Sequence, residues 1–176
     1  LAITVLLEEP PKLVVSGINL GGNLGICALY SGTVSAATEA MIMGVPSIAV
    51  SLDTYEKPDF KPAAKFTRKF IPQLLEKGLP EGVVLNINVP AVSESEFAGV
   101  AITRQGKSRV IEEFDCRQDP HGRTYYWLAG EMLFEETEEG ADCVMIAKKY
   151  ISVAPIHFDL THYPSLDKLK DWKIEL

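Results

Sequence analysis

Apolar and polar positions along the 176-residue chain change their period several times, and each change marks an element. "LAITVLLEE" spaces its apolar residues as a helix does and is stopped by Pro10-Pro11, so residues 1–9 read as the tail of an amphipathic helix. "KLVVSGIN" is a short buried strand running into a loop. Residues 32–43 return to helical spacing, with Ser31 placed as N-cap and Gly44 just past the end, before Pro46. "PSIAVSL", 46–52, reads as the next strand. "PDFKPAAKFTRKFIPQLLEKG" predicts a second helix with Pro62 near its start, Gly78 past its end, and Pro72 kinking it or tightening its last turns. "GVVLNINVP", 82–90, is a third buried strand. Strand, loop, helix, strand in that order is the grammar of a parallel α/β sheet.

The pattern changes after residue 97. "AGVAITRQG" and "RTYYWLAG" read as strands, with a turn signal "DPHG" at 119–122. The acidic stretch "EETEEGAD" precedes a short helix around 141–148, "YISVAPIHF" makes a last strand, and "SLDKLKDWKIEL" a terminal helix. Residues 1–97 are therefore expected as α/β structure, and 98–176 as a hairpin extension continuing into the same domain. Tyr125, Tyr126 and Trp127 are expected first as hairpin core, with a place beside a ligand as the alternative.

Composition narrows the function. A net charge of −7, with no basic block longer than Lys148-Lys149, argues against a nucleic-acid polymer as partner, although a single phosphate could still bind locally. No apolar run reaches the length of a membrane span. Cys27, Cys116 and Cys143 are odd in number and far apart, which fits buried or semi-buried free thiols in a reducing cytoplasm rather than disulfides or a zinc site. His157 and His162, five apart, fall on different faces of either a helix or a strand. Leu1 opens inside an apolar helical pattern without an N-cap, so the sequence reads as cut from a longer chain.

The candidate chemistry lies in "SGINLGGNLG", residues 16–25, followed at once by "LYSGTVSAATEA". Ligands of open α/β sheets sit beyond the carboxyl ends of strands. Glycines there let backbone N–H groups approach an anion, and a helix opening at Ser31-Gly32-Thr33 adds free N–H groups, hydroxyls and a positive dipole end. A tight turn and an ordinary cap would use the same residues. Gly21, Gly22 and Gly25 do not form a dinucleotide fingerprint, and no nucleoside-triphosphatase loop is present. Asn19 and Asn23 could cap the turn, ligate a hard metal through their carbonyl oxygens, or donate to phosphate. Divalent ions also need carboxylates, and none lies near this loop in the sequence.

"LVVSGINLGGNLG", "LYSGTVSAATEA", "GVPSIAVSL", "VLNINVP", "DPHGRTYYWLAGE" and "YISVAPIHFDLT" resemble, in order and spacing, the SurE family of survival-protein 5′/3′-nucleotidases, from about residue 10 to residue 162. The resemblance implies a Rossmann-like three-layer α/β sandwich with a mainly parallel sheet, a protruding β-hairpin and a swapped C-terminal segment, assembled as homodimers or homotetramers. It implies a phosphatase dependent on one divalent cation, Mg²⁺ or Mn²⁺, acting on nucleoside monophosphates and in some members on polyphosphate. It assigns Asn19 as a metal ligand, and Asn23, Ser31, Gly32 and Thr33 as phosphate contacts. Arg104 or Tyr125-Tyr126-Trp127 would stand near the base and sugar.

Two departures stand out. The family's Asn-Asp-Asp-Gly motif, with its paired metal-binding aspartates, and a later serine ligand are not in this sequence, so the catalytic base is not among these residues. Ile26-Cys27 stands where an acidic residue is usual, which predicts a loop less rigid or closed differently. Three functions remain open on the sequence: a metal-dependent nucleotidase, a module that binds phosphate or oligomerises without catalysis, and a dinucleotide-dependent oxidoreductase.

Overall fold

The computed structural model describes residues 1–133, 138–172 and 174. Its strands are β1 (Val14–Leu20), β2 (Ser47–Asp53), β3 (Val84–Pro90), β4 (Gly99–Ile102), β5 (Arg109–Gln118), β6 (Thr124–Leu133) and β7 (Tyr150–Ile156). The helices are α1 (Gly32–Ile42), α2 (Lys61–Lys77), α3 (Asp142–Ala147) and α4 (Tyr163–Lys170).

Five strands form one sheet in the order β1-β2-β3-β7-β4. All neighbours are parallel except β3 and β7. β2 and β3 are buried almost throughout, because both of their faces are covered. On one face Ile48, Val50, Leu52, Leu85, Ile87, Val89, Ile151 and Val153 pack with Ala63, Phe66, Phe70 and Leu74 of α2. On the other, Ala49 and Val84 pack with Val34 and Ala37 of α1. The result is the expected three-layer α/β sandwich. β7 returns from the second half of the chain to sit between β3 and β4.

β1 was expected to be buried and is only half-buried, because it lies at the edge of the sheet in this chain. Helix α2 runs 17 residues through Pro72 and ends at Gly78, whose φ of +73° is one that glycine adopts readily. Residues 1–9 form no long helix; Ala2–Leu6 is a single wide, exposed turn. The terminal helix starts earlier than read, at Tyr163, and has no buried residue. The stretch 134–137, part of the acidic run, and residues 173, 175 and 176 lie outside the described residues.

β5 and β6 pair with each other alone, joined through Asp119–Gly122, and make a separate two-stranded sheet. Tyr126, Trp127 and Leu128 are therefore exposed, not hairpin core. A two-stranded ribbon has no second layer to bury them. The Trp127 ring meets the guanidinium of Arg117, 5.4 Å from its centroid, which is itself held by Asp115 at 2.7 Å. Cys116, on the same ribbon, is exposed rather than semi-buried, whereas Cys143 is buried and Cys27 intermediate. No disulfide joins them. Among the described residues no helix is long and apolar enough to cross a membrane.

Candidate functional site

β1 delivers the glycine-rich loop to the carboxyl edge of the sheet. Gly21 N–H still pairs with Leu52 O at 2.9 Å, so the loop leaves the sheet in register with β2. Gly21 takes φ +99°, and a Cβ there would run into the ring of Tyr55. At Gly22 the crowding comes from a side chain, since a Cβ there would meet the carboxylate of Asp53. Burial pushes the Asp53 carboxyl above its usual range.

The next three residues are each anchored. Asn23 is 7% exposed and tied to two strands. Its N–H donates to Asn88 Oδ1 at 2.8 Å, its carbonyl accepts from Asn86 Nδ2 at 2.8 Å and from Asn88 Nδ2 at 3.4 Å, and its Nδ2 donates to Ser51 Oγ at 2.7 Å. Leu24 is buried in a small apolar cluster with Ala141, Cys143 and Ile146. Gly25, at φ +53°, donates its N–H to Asp142 Oδ2 at 2.9 Å and accepts from Gln105 Nε2 at 2.8 Å. Ile26 N–H then pairs with Ser108 O at 3.0 Å. The loop is thus closed by groups distant in sequence, without a carboxylate at Ile26-Cys27. It is a fixed wall of the core despite four glycines in ten residues.

A 3₁₀ turn, Gly25–Tyr30, carries the chain to α1. Ser31 is the N-cap, its Oγ accepting from Val34 N–H at 3.1 Å. Gly32 opens the helix with nothing within 4 Å of where a Cβ would stand, and Thr33 is half-buried. The result is an uncrowded helix N-terminus whose remaining N–H groups and dipole favour an anion. Ser31, Gly32 and Thr33 are contiguous there; Asn23 is anchored deeper, with its amide engaged by Ser51.

Asn19 stands near the end of β1, opposite Ser51, and its Nδ2 donates to Gly21 O at 2.8 Å and to Leu20 O at 3.2 Å. That leaves Oδ1 as a neutral oxygen donor. Among the described residues no group of three or more His, Cys, Asp or Glu gathers as a metal site. A hard divalent ion takes about six oxygens with carboxylates among them, so Asn19 could complete such a shell but not found one.

Ser51, Asn86, Asn88, Gln105 and Asp142 were not singled out in the sequence. The available signal was in "VLNINVP", where two amides alternate with apolar residues on a strand that reads as buried. A polar side chain at such a position needs a buried partner. Arg104, expected near a base and sugar, pairs with Glu138 at 2.6 Å on the exposed surface.

The family model described as Survival protein SurE matches residues 1–112. A protein named 5′-nucleotidase SurE from Syntrophobacter fumaroxidans is 45% identical over 174 residues, covering 99% of this chain and 70% of that protein. Its namesake from Nostoc sp. is 49% identical over 185 residues, covering 100% and 70%. The crystal structure of SurE protein from Aquifex aeolicus matches with a TM-score of 0.81 at 40% identity, over 98% of this chain and 70% of that one. This chain thus spans about 70% of the length of these relatives. Family match, sequence identity over nearly the whole chain and a shared fold agree: the chain belongs to the SurE family.

Proposed function

We propose that this chain carries the phosphate-binding part of a metal-dependent phosphomonoesterase, hydrolysing nucleoside 5′- and 3′-monophosphates and, as a further substrate class, polyphosphate. The observation that carries the reading is the open N-terminus of α1 at Gly32, fed by a loop that buried side chains hold rigid. Ser31, Gly32 and Thr33 would receive the phosphoryl oxygens, and Asn23 would contribute through its second amide hydrogen. Because these groups are fixed before substrate arrives, charge developing on the phosphoryl group meets dipoles already in place. The nucleotide class rests on the relatives, which are named 5′-nucleotidases.

Asn19 would give one neutral oxygen to a Mg²⁺ or Mn²⁺ ion, alongside the aspartates of an Asn-Asp-Asp-Gly segment that is not in this sequence. The bound cation would supply positive charge against the phosphoryl oxygens. We further place the protein in the cytoplasm as a homodimer or homotetramer, with the exposed aromatic hairpin and the exposed segment Phe158–Trp172 as contact surfaces.

The test is phosphate release from a nucleoside 5′-monophosphate by the protein as it occurs, with its intact mass measured alongside. Release should be abolished by EDTA and reduced about 100-fold or more by Asn19→Asp or Ser31→Ala. Full activity in both variants would remove the site assignment. Absence of metal-dependent turnover at high protein concentration, with phosphate binding retained, would leave a non-catalytic binding module.

A further inference from the structure

Asp142 is fully buried, and the chemistry proposed above does not use it. Its Oδ2 accepts from Gly25 N–H at 2.9 Å, and its Oδ1 accepts from Gly106 N–H at 2.9 Å and Cys143 N–H at 2.7 Å. Three N–H donors replace the water a buried carboxylate would otherwise lose. The corner is shaped around this anion. A Cβ on Gly106 would stand 2.8 Å from Asp142 Oδ1 and 2.9 Å from Cys143 Sγ, and one on Gly25 would strike Ser108.

The partners share one origin. Gln105, Gly106 and Ser108 lie where the chain enters the hairpin, and Asp142 lies where it comes back. The two roots are zipped together by Asp142 N–H to Arg104 O at 2.9 Å and Arg104 N–H to Gly140 O at 2.8 Å. Gly25, with both backbone groups held from these roots, begins the 3₁₀ turn that delivers Ser31 to the helix N-terminus.

We propose that Asp142 is a positioning residue of the phosphate cradle: by fixing the Gly25 N–H it sets where Ser31, Gly32 and Thr33 meet the phosphoryl group. The inference rests on the phosphate-binding reading above. It assigns the hairpin roots, rather than the hairpin itself, a part in shaping the site.

The experiment compares Asp142→Asn and Gln105→Ala in the protein as it occurs, well below their melting temperatures. It reads kcat and KM for a nucleoside 5′-monophosphate, calorimetric binding of inorganic phosphate, and Tm. Asp142→Asn turns an amide donor toward N–H donors. It should lower kcat per folded molecule about 10- to 100-fold, as a displaced reacting geometry does, and weaken phosphate binding in parallel. Gln105→Ala, which removes only the bond to Gly25 O, should act in the same direction with a smaller factor. A lower Tm with unchanged kcat and unchanged phosphate binding would show a purely structural staple and overturn the proposal. Should Asp142→Asn fail to fold, unchanged kcat and phosphate binding in Gln105→Ala overturns it equally. If the unmodified protein binds phosphate without hydrolysing it, the catalytic reading fails alone, and weaker binding in the variants still supports the positioning role. A protein that neither hydrolyses nor binds phosphate overturns both.

Discussion

On the α2 side of the sheet, Ile48, Val50 and Leu52 of β2 and Leu85, Ile87 and Val89 of β3 pack into one hydrophobic cluster. On the α1 side the same two strands present Ser47, Ser51, Asn86 and Asn88, all buried as deeply. The first face needs volume and shape alone, and many side chains could fill it. The second must find partners for its polar groups, and draws most of them from backbone: Ser47 Oγ donates to Ala37 O at 2.6 Å, and the two asparagines bracket the main chain of Asn23. Only Asn86 Oδ1 and Ser108 Oγ are buried without a partner among the described side chains. One face of the sheet therefore holds the molecule together, and the other holds one particular loop in one particular place.

That contrast can be broken from either side. Ile87→Ala, on the aliphatic face, should cost about 2–5 kcal/mol through lost burial and the cavity left behind. Tm should fall by about 2–4 °C per kcal/mol for a chain of this size, and inorganic phosphate binding to the folded protein should be unchanged. Asn88→Ala, on the polar face, strands the buried Asn23 N–H and should cost less, about 1–3 kcal/mol, yet it should weaken phosphate binding. Equal effects of the two variants on phosphate binding, read by calorimetry, would erase the distinction between the faces.

Away from the sheet's polar face, electrostatics should matter little except in acid. The Glu96 carboxylate is held at about 2, first by its hydrogen bond to Lys149, then by those to the Ser93 side chain and N–H, and by the Lys149 charge. Its folded pKa lies below the free value of 4.5, so its contribution is complete above pH 4.5 and is lost as pH falls toward 2. Glu96→Gln should therefore flatten the acid limb of the stability–pH curve in that window and lower Tm only slightly at pH 7. An unchanged acid limb would count against the Glu96–Lys149 contact at 2.9 Å.

The hairpin reverses the rule that governs the sheet. Its aromatics are exposed while the asparagines of β3 are buried, because burial is decided by what lies opposite and not by residue type alone. Tyr125, Tyr126 and Trp127 are not core for this reason: among the described residues no second layer lies over the β5–β6 ribbon.

The sequence by itself determined the elements and their class. Periodicity and punctuation placed α1 between Ser31 and Gly44, α2 between Pro62 and Gly78, and the turn at Asp119–Gly122, since caps, breakers and turn residues act on their immediate neighbours. It also exposed Ser31-Gly32-Thr33 as a helix start. Only the tertiary structure decided that the glycine loop is rigid. The bonds that fix Asn23 and Gly25 span 28 to 117 residues, from Ser51, Asn86, Asn88, Gln105 and Asp142. A local pattern carries no record of which distant side chain a fold brings to a loop, because that pairing is set by strand order and register.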